Sequence, residues 1–322
     1  MKMLTNRQLR GFLTITAMVL ACGLYLVATG ADITNPRSEL WRLVRDGVPG
    51  YTSVSSEGHS ILIQTDGEIW REFRNVLLIS ITPWLMGIFI AVIGVFHLIT
   101  GGEKLIEPRS GIMIKRYNLG ERLLHWYTAV LFILLAITGL SILLGRVALI
   151  PLTGHAFVSS FLSIAKIVHN WCGPLFLVGV FLMLIIWFRD NFFHKCDFIW
   201  FKQMGGMFSK SSHPHSEKVN AGEKSWFWLI VLFGAAVGVT GVILDFPIWG
   251  QSRNIMQLSL VIHAVVAVLF VTFSFVHIYM GTVGSEGALD GMVHGEVDAV
   301  WAKRHCDLWY RKMAEKDDRL ET

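Results

Sequence analysis

Two histidines, His263 and His277, stand fourteen residues apart inside one apolar run, residues 258–282. An α-helix rises 1.5 Å per residue and turns every 3.6, so this spacing puts both imidazoles on nearly one face with about 21 Å of rise between them. A hydrocarbon layer is about 30 Å thick, so one ring falls toward each side of it. Ionisable groups at that depth are costly and point to function. Imidazole is an axial ligand of haem iron, and two haems stacked through a membrane would carry electrons across it. An interhelical hydrogen bond or a proton relay would also use such residues. What separates these readings is whether partner histidines lie at matching depths on other helices.

The elements that would position them follow from composition. Of 322 residues, 53% are hydrophobic and 16% charged, and the mean hydropathy is +0.52, which describes an all-α integral membrane protein. Six spans are expected, over residues 12–30, 76–100, 123–144, 163–187, 225–244 and 258–282. The net charge of +4 follows the membrane rather than a nucleic acid partner. Lys2, Arg7 and Arg10 precede the first span, and Lys104, Arg109, Lys115, Arg116 and Arg122 fill the second-to-third connection. Arg189, Lys195, Lys202, Lys210, Lys218 and Lys224 fill the next connection on that side, and the tail adds Lys303, Arg304, Arg311, Lys312, Lys316 and Arg319. Only Arg146, Lys166 and Arg253 lie at the short opposite loops, so the positive-inside rule makes both termini cytoplasmic. The first span has a second reading as a cleaved signal peptide, but its apolar run is longer than most signal cores and favours a retained helix.

The chain divides at about residue 108. Residues 1–108 hold two spans around an external segment, 31–75, suited to docking another subunit. Residues 109–322 hold four spans and a cytoplasmic tail, an antiparallel four-helix bundle of the kind that builds haem sites between facing helices. No internal repeat or low-complexity tract is visible. The four cysteines, Cys22, Cys172, Cys196 and Cys306, form neither Cys-x-x-Cys nor Cys-x-x-Cys-His, which excludes covalent c-type haem and argues against an iron–sulfur or zinc site on this chain.

Alternating direction supplies the test. His125 begins the third span and His277 ends the sixth, so both fall at the cytoplasmic depth. His169 is early in the fourth span and His263 early in the sixth, so both fall at the external depth. Two pairs at two levels, sharing one helix, predict two bis-histidine b-type haems, closed to further ligands and suited to electron transfer. His97 competes for the inner pair, but an interface role suits it better because His125 belongs to the bundle. His59, His155, His194, His213, His215, His294 and His305 fall in loops or tails and read as solvated. Gly139, Gly173, Gly179, Gly238 and Gly241 suit close helix packing or a bulky porphyrin equally. Tryptophans near span ends suit an interfacial belt.

The segment Lys218-Val219-Asn220-Ala221-Gly222-Glu223-Lys224 precedes the fifth span. Asn220, the Gly222 backbone and Glu223 could bind a quinone head group beside the inner pair. The spacing from Asn220 to Glu223 also makes a capping box, and spacing alone favours the cap.

These residues resemble the cytochrome b (gamma) subunit of respiratory formate dehydrogenases. The similar stretches are Arg116-Tyr117-Asn118 through His125-Trp126, Ile167-Val168-His169, Asn220-Ala221-Gly222-Glu223-Lys224, Leu260-Val261-Ile262-His263-Ala264 and His277-Ile278-Tyr279-Met280-Gly281. Gly291-Met292-Val293-His294-Gly295-Glu296-Val297 and Trp301-Ala302-Lys303-Arg304-His305 extend the likeness, which covers roughly residues 112–312. The resemblance implies a diheme cytochrome b in a bacterial inner membrane. His169 and His263 would bind the periplasm-side haem, and His125 and His277 the cytoplasm-side haem. His277, Asn220 and Gly222 would line a quinone pocket. Glu223 stands where the family often has glutamine. The implied partners are an iron–sulfur (beta) subunit, a molybdenum- or tungsten-dependent catalytic (alpha) subunit that oxidises formate, the quinone pool and membrane lipid. Related diheme cytochromes serve hydrogenases and thiosulfate or polysulfide reductases. A haem-free, histidine-lined transporter is the reading from another class.

Overall fold

The computed structural model describes residues 65–207 and 213–316. Five of its helices are long and apolar enough to cross a membrane: α1 (Ile69–Thr100), α2 (Leu119–Thr153), α3 (His155–Trp187), α5 (Ala221–Asp245) and α6 (Arg253–Gly284). Between α3 and α5 lies a short helix, α4 (Lys195–Lys202). The chain is an all-α integral membrane protein. The expected span at 12–30 lies outside the described residues, as does most of segment 31–75.

Each described helix outruns the apolar stretch that announced it, because polar termini extend it into the interface. α2 starts at Asn118, whose Oδ1 accepts from the Glu121 amide at 2.9 Å while Glu121 Oε2 accepts from the Asn118 amide at 2.7 Å. α5 starts the same way: Asn220 Oδ1 accepts from Glu223 N at 2.9 Å, and Glu223 Oε2 accepts from Asn220 N at 3.0 Å. These reciprocal bonds satisfy amide donors that no helical turn can reach. Three helices also contain π-turns, at Phe73–Leu78, Gly145–Leu149 and Met280–Gly284.

α2, α3, α5 and α6 form the bundle, with α2 against α3, α3 against α5 and α5 against α6. At its centre Leu131, Phe176, Val180 and Phe270 pack together; nearer the capped ends of α2 and α5, Leu124, Met183, Trp187, Phe227 and Val231 do the same. Val130, Ile137, Phe181 and Leu232 point outward, as lipid-facing residues should. α1 lies along α6, with Phe89 edge-on to Phe273 at 5.5 Å and His97 Nδ1 3.0 Å from the Tyr279 hydroxyl. His97 is thus an interface residue between those two helices.

The bundle is internally repeated, contrary to the sequence expectation. Asn118, Gly120, Glu121, Trp126, Thr138 and Gly139 of the α2 segment recur at one constant offset as Asn220, Gly222, Glu223, Trp228, Thr240 and Gly241 of the α5 segment. On the following helices His169 and Phe176 correspond to His263 and Phe270, and the two phenylalanines touch, with ring centres 6.2 Å apart. Trp126 donates its indole N–H to Met292 O, beyond α6, and Trp228 donates to Asn191 O, beyond α3. Each hairpin therefore clasps the end of the other. The repeat escapes a linear reading because few residues match and the path from Gly139 to His169 is longer than that from Gly241 to His263.

The C-terminal segment is more than a charged tail. Strand β1 (Met113–Lys115) pairs antiparallel with β2 (Glu296–Asp298), matching Ile114 with Val297. Helices α7 (Ala299–His305) and α8 (Asp307–Ala314) follow. Ile114, Val297, Trp301, Ala302 and Cys306 form a second small core there. Arg116 joins it to the bundle. Its buried Nη2 donates to Lys218 O at 2.7 Å and to both Glu223 carboxylate oxygens at 3.0 and 2.9 Å, while its guanidinium lies over Trp301. Burial in this core pushes the Cys306 thiol up to about 12.

Candidate functional site

The four histidines meet in two pairs. His125 of α2 and His277 of α6 have ring centres 6.3 Å apart near the capped ends of α2 and α5. His169 of α3 and His263 of α6 have ring centres 6.1 Å apart at the other level. Two imidazoles on opposite sides of one metal ion, each with a metal–nitrogen bond of about 2.0 Å, hold their ring centres roughly 6 Å apart. Both pairs have that separation.

The surroundings of the far pair explain how each ring is aimed. Thr138 Oγ1 donates to Leu134 O at 2.7 Å, so its remaining lone pairs face His169 Nδ1 at 2.9 Å. Thr240 Oγ1 likewise donates to Ala236 O at 2.6 Å and lies 3.2 Å from His263 Nδ1, which is also 3.0 Å from Val237 O. Acceptors at both Nδ1 atoms assign the proton there and leave each Nε2 lone pair free to ligate. Neither helix could carry a larger residue at the next position. A Cβ on Gly139 would stand 3.0 Å from His169 Cε1, and one on Gly241 would stand 3.3 Å from His263 Cε1.

The near pair is held differently. His277 stacks on Trp226, with ring centres 4.7 Å apart and planes 14° apart. His125 lies edge-on to Trp126 at 5.2 Å, and its Nδ1 is buried with no hydrogen-bond partner. A buried imidazole without partners is costly, and a ligand on the ring is one remedy. The other span glycines divide by role. Gly179 and Gly238 sit against Thr128 and Leu177, so they serve helix packing, whereas a Cβ on Gly173 would meet nothing within 4 Å. Paired imidazoles stand at both levels, and at the far level free Nε2 atoms and space beside Gly173 fit a flat, bulky group.

Among the described residues, Asn220 and Gly222 are both already engaged. Asn220 is engaged in its capping box, and a Cβ on Gly222 would stand 3.0 Å from Trp200 of α4. The segment is nevertheless tied to the near pair, since Trp226 in the second turn of α5 is the residue that stacks on His277. Two histidines that read as solvated are not: His305 is 5% exposed, and the His213 side chain is 10% exposed. Their sequence neighbours are polar, and only tertiary folding encloses them.

A model of the prokaryotic cytochrome b561 family matches residues 116–295, more than half of the chain. The chain belongs to that family. Membership implies haem b as the cofactor of this cytochrome. Among relatives, it is 29% identical over 203 residues to the cytochrome b556(fdo) subunit of formate dehydrogenase from Escherichia coli K12, covering 62% of this chain and 93% of the relative. It is 28% identical over 214 residues to the cytochrome b556(Fdn) subunit of the nitrate-inducible formate dehydrogenase of the same organism, covering 65% and 96%. It is 29% identical over 217 residues to the formate dehydrogenase cytochrome b556 subunit of Haemophilus influenzae, covering 64% and 86%. As a family member with five apolar helices, this cytochrome is a multi-pass bacterial membrane protein.

The capping box gives a test of the loop before α5. Asn220→Ala removes the acceptor for the Glu223 amide and should cost about 0.5–2 kcal/mol of stability. If Asn220 serves only the cap, stopped-flow reoxidation of the reduced cytochrome by added quinone stays unchanged in the folded fraction. Slowed reoxidation, with haem content unchanged, places Asn220 in quinone chemistry.

Proposed function

We propose that this chain is the membrane cytochrome b subunit of a formate dehydrogenase complex. It conducts electrons from a periplasmic iron–sulfur subunit to quinone near the cytoplasm. The observation that carries this reading is the pair of imidazole pairs at two levels of one bundle, joined through α6. The names and extensive coverage of the relatives supply the choice of formate, since the bundle itself contains no residue that selects a substrate.

In this reading His169 and His263 hold the periplasm-side haem, and His125 and His277 the cytoplasm-side haem. When bound, haem would supply one-electron carriage, and the two imidazoles of each pair would hold its iron. The chain's own contribution is to aim the ligands. Thr138 and Thr240 fix the Nδ1 protons of the outer pair, Trp226 sets the plane of His277, and the apolar helices exclude water between levels. In this reading quinone binds beside His277, and Asn220 and Gly222 belong to the segment that leads to Trp226. The catalytic subunit, dependent on molybdenum or tungsten, and the iron–sulfur subunit dock at the periplasmic face. The basic residues beside the capped ends of α2 and α5 support the cytoplasmic assignment of that end.

Purified together with its partners, the complex should show reduction of its b-type absorbance on adding formate and reoxidation on adding quinone. Reduction by hydrogen or a sulfur substrate, with none by formate, would replace the formate assignment. Reporter fusions after Arg146 and Lys202 should report periplasm and cytoplasm respectively; the reverse would invert the direction of charge movement.

A further inference from the structure

Glu103, His213 and His305 turn one ligating atom each toward a common point, all within 4.8 Å of one another. They come from three separate places: the turn after α1, the approach to α5 and the last residue of α7. Glu103 is held by its backbone, its amide donating to Gly284 O at 2.7 Å and its carbonyl accepting from Glu286 N at 2.9 Å. The close pass requires glycine at 102, with φ of 75°, where a Cβ would stand 3.1 Å from Val283 O. His213 Nδ1 faces Pro214 O at 3.1 Å and so carries the proton, which leaves its Nε2 lone pair 3.5 Å from Glu103 Oε1. His305 Nδ1 lies 3.8 Å from Glu103 Oε2, and the two imidazole ring centres are 5.0 Å apart.

The three side chains are only 11%, 10% and 6% exposed, yet among the described residues His305 Nε2 has no hydrogen-bond partner, and Glu103 Oε1 has only the Arg304 guanidinium, 3.4 Å away. Buried polar atoms without partners are rare and call for an explanation. The separations are too long for hydrogen bonds among the three. The 3.5 Å between His213 and Glu103 is close to what one ion imposes, and the 3.8 Å between His305 and Glu103 is longer, because donors about 2.0–2.1 Å from a tetrahedral zinc stand roughly 3.4 Å apart. We propose that Glu103, His213 and His305 form a binding site for a divalent transition-metal ion of the zinc class. Two imidazoles and one carboxylate select such an ion over magnesium or calcium, which prefer all-oxygen sites. Three protein donors leave a fourth position for water.

The electrostatics agree in part and set a limit. Burial holds both His213 and His305 below the ordinary histidine range, so each is in the neutral form that ligates. Burial raises the Glu103 carboxyl, and Arg304, with Nε 3.4 Å from Glu103 Oε1, acts against that rise. Arg304 and the more distant Arg116 also repel a cation, so the site binds more weakly than a closed structural zinc centre. This site does not rest on the formate dehydrogenase reading, since an ion here could be held whatever the partner oxidises.

The test uses the haem-loaded protein in detergent, treated with a chelator, exposed to Zn2+ and passed through gel filtration. Wild type should retain one zinc per chain, and X-ray absorption at the zinc edge should show two imidazoles. His213→Gln and Glu103→Gln should each weaken zinc binding at least tenfold while haem content stays at the wild-type level. Should Glu103→Gln lose haem through misfolding, the more peripheral His213→Gln and the edge spectrum carry the test. Absence of retained zinc in wild type, equal retention in His213→Gln, or an edge spectrum without imidazole scattering would overturn the site.

Discussion

His169→Ala should halve the haem content of the purified protein, from two per chain to one, as read by the pyridine haemochrome spectrum. His169 and His263 face one another across 6.1 Å, and among the described residues no other histidine pair shares that level, so loss of one imidazole leaves a single imidazole donor there. One neutral imidazole does not replace two. The near pair should keep its haem, because His125 and His277 are held by Trp126 and Trp226 rather than by anything at the far level. Formate should then fail to reduce the remaining haem at a useful rate, although a small chemical reductant still does. Retention of two haems in His169→Ala would remove this residue from the ligand set.

Asp197→Ala should destabilise the protein by about 3–5 kcal/mol, the cost of leaving a buried charge without its partner. Lys224 Nζ donates to Asp197 Oδ2 at 2.7 Å, and the two side chains are 0% and 1% exposed. The same carboxylate oxygen accepts from the His194 amide at 2.6 Å and so starts α4. One oxygen thus pins α4 to the first turn of α5. A double replacement, Asp197→Leu with Lys224→Met, should recover most of the loss, because it removes both desolvated charges together. By contrast, Glu217→Ala breaks an exposed pair with Lys312 and should cost less than about 1 kcal/mol. Thermal loss of haem absorbance compares the three. A loss from Asp197→Ala no larger than that from Glu217→Ala would contradict this account.

The helices and the four bundle histidines were readable because membrane physics writes them into one dimension. An apolar run must be a helix, and a histidine's place in the run is its depth. The capping boxes at Asn118 and Asn220 were readable for a similar reason, since donor and acceptor lie three residues apart. What escaped depends on distant segments. Lys224 counts as one more basic residue beside a span until Asp197 of α4 encloses it. Likewise His305 and His213 sit among polar neighbours, and burial comes only when α7 folds back over the turn after α1. The β1–β2 pairing joins residues on either side of the whole bundle, and a three-residue strand has too little pattern to announce itself. The roles of Thr138 and Thr240 could have been suspected from the paired Thr-Gly steps, had the two halves been aligned.

That correspondence has a geometric consequence. A single two-helix unit with a Thr-Gly step on its first helix and a histidine on its second could pair with an identical copy about a twofold axis. The two histidines would then face one another across the axis and share a single cofactor. His169 and His263 stand in that relation, each leaning on the Thr-Gly step of its own hairpin. The near pair breaks the symmetry: the position matching His125 is Phe227, and that matching His277 is Met183. An arrangement of identical halves could not have produced such a pair once without producing it twice. The far pair is therefore the one that a twofold arrangement of hairpins accounts for, and the near pair is the one that needs the two halves to differ.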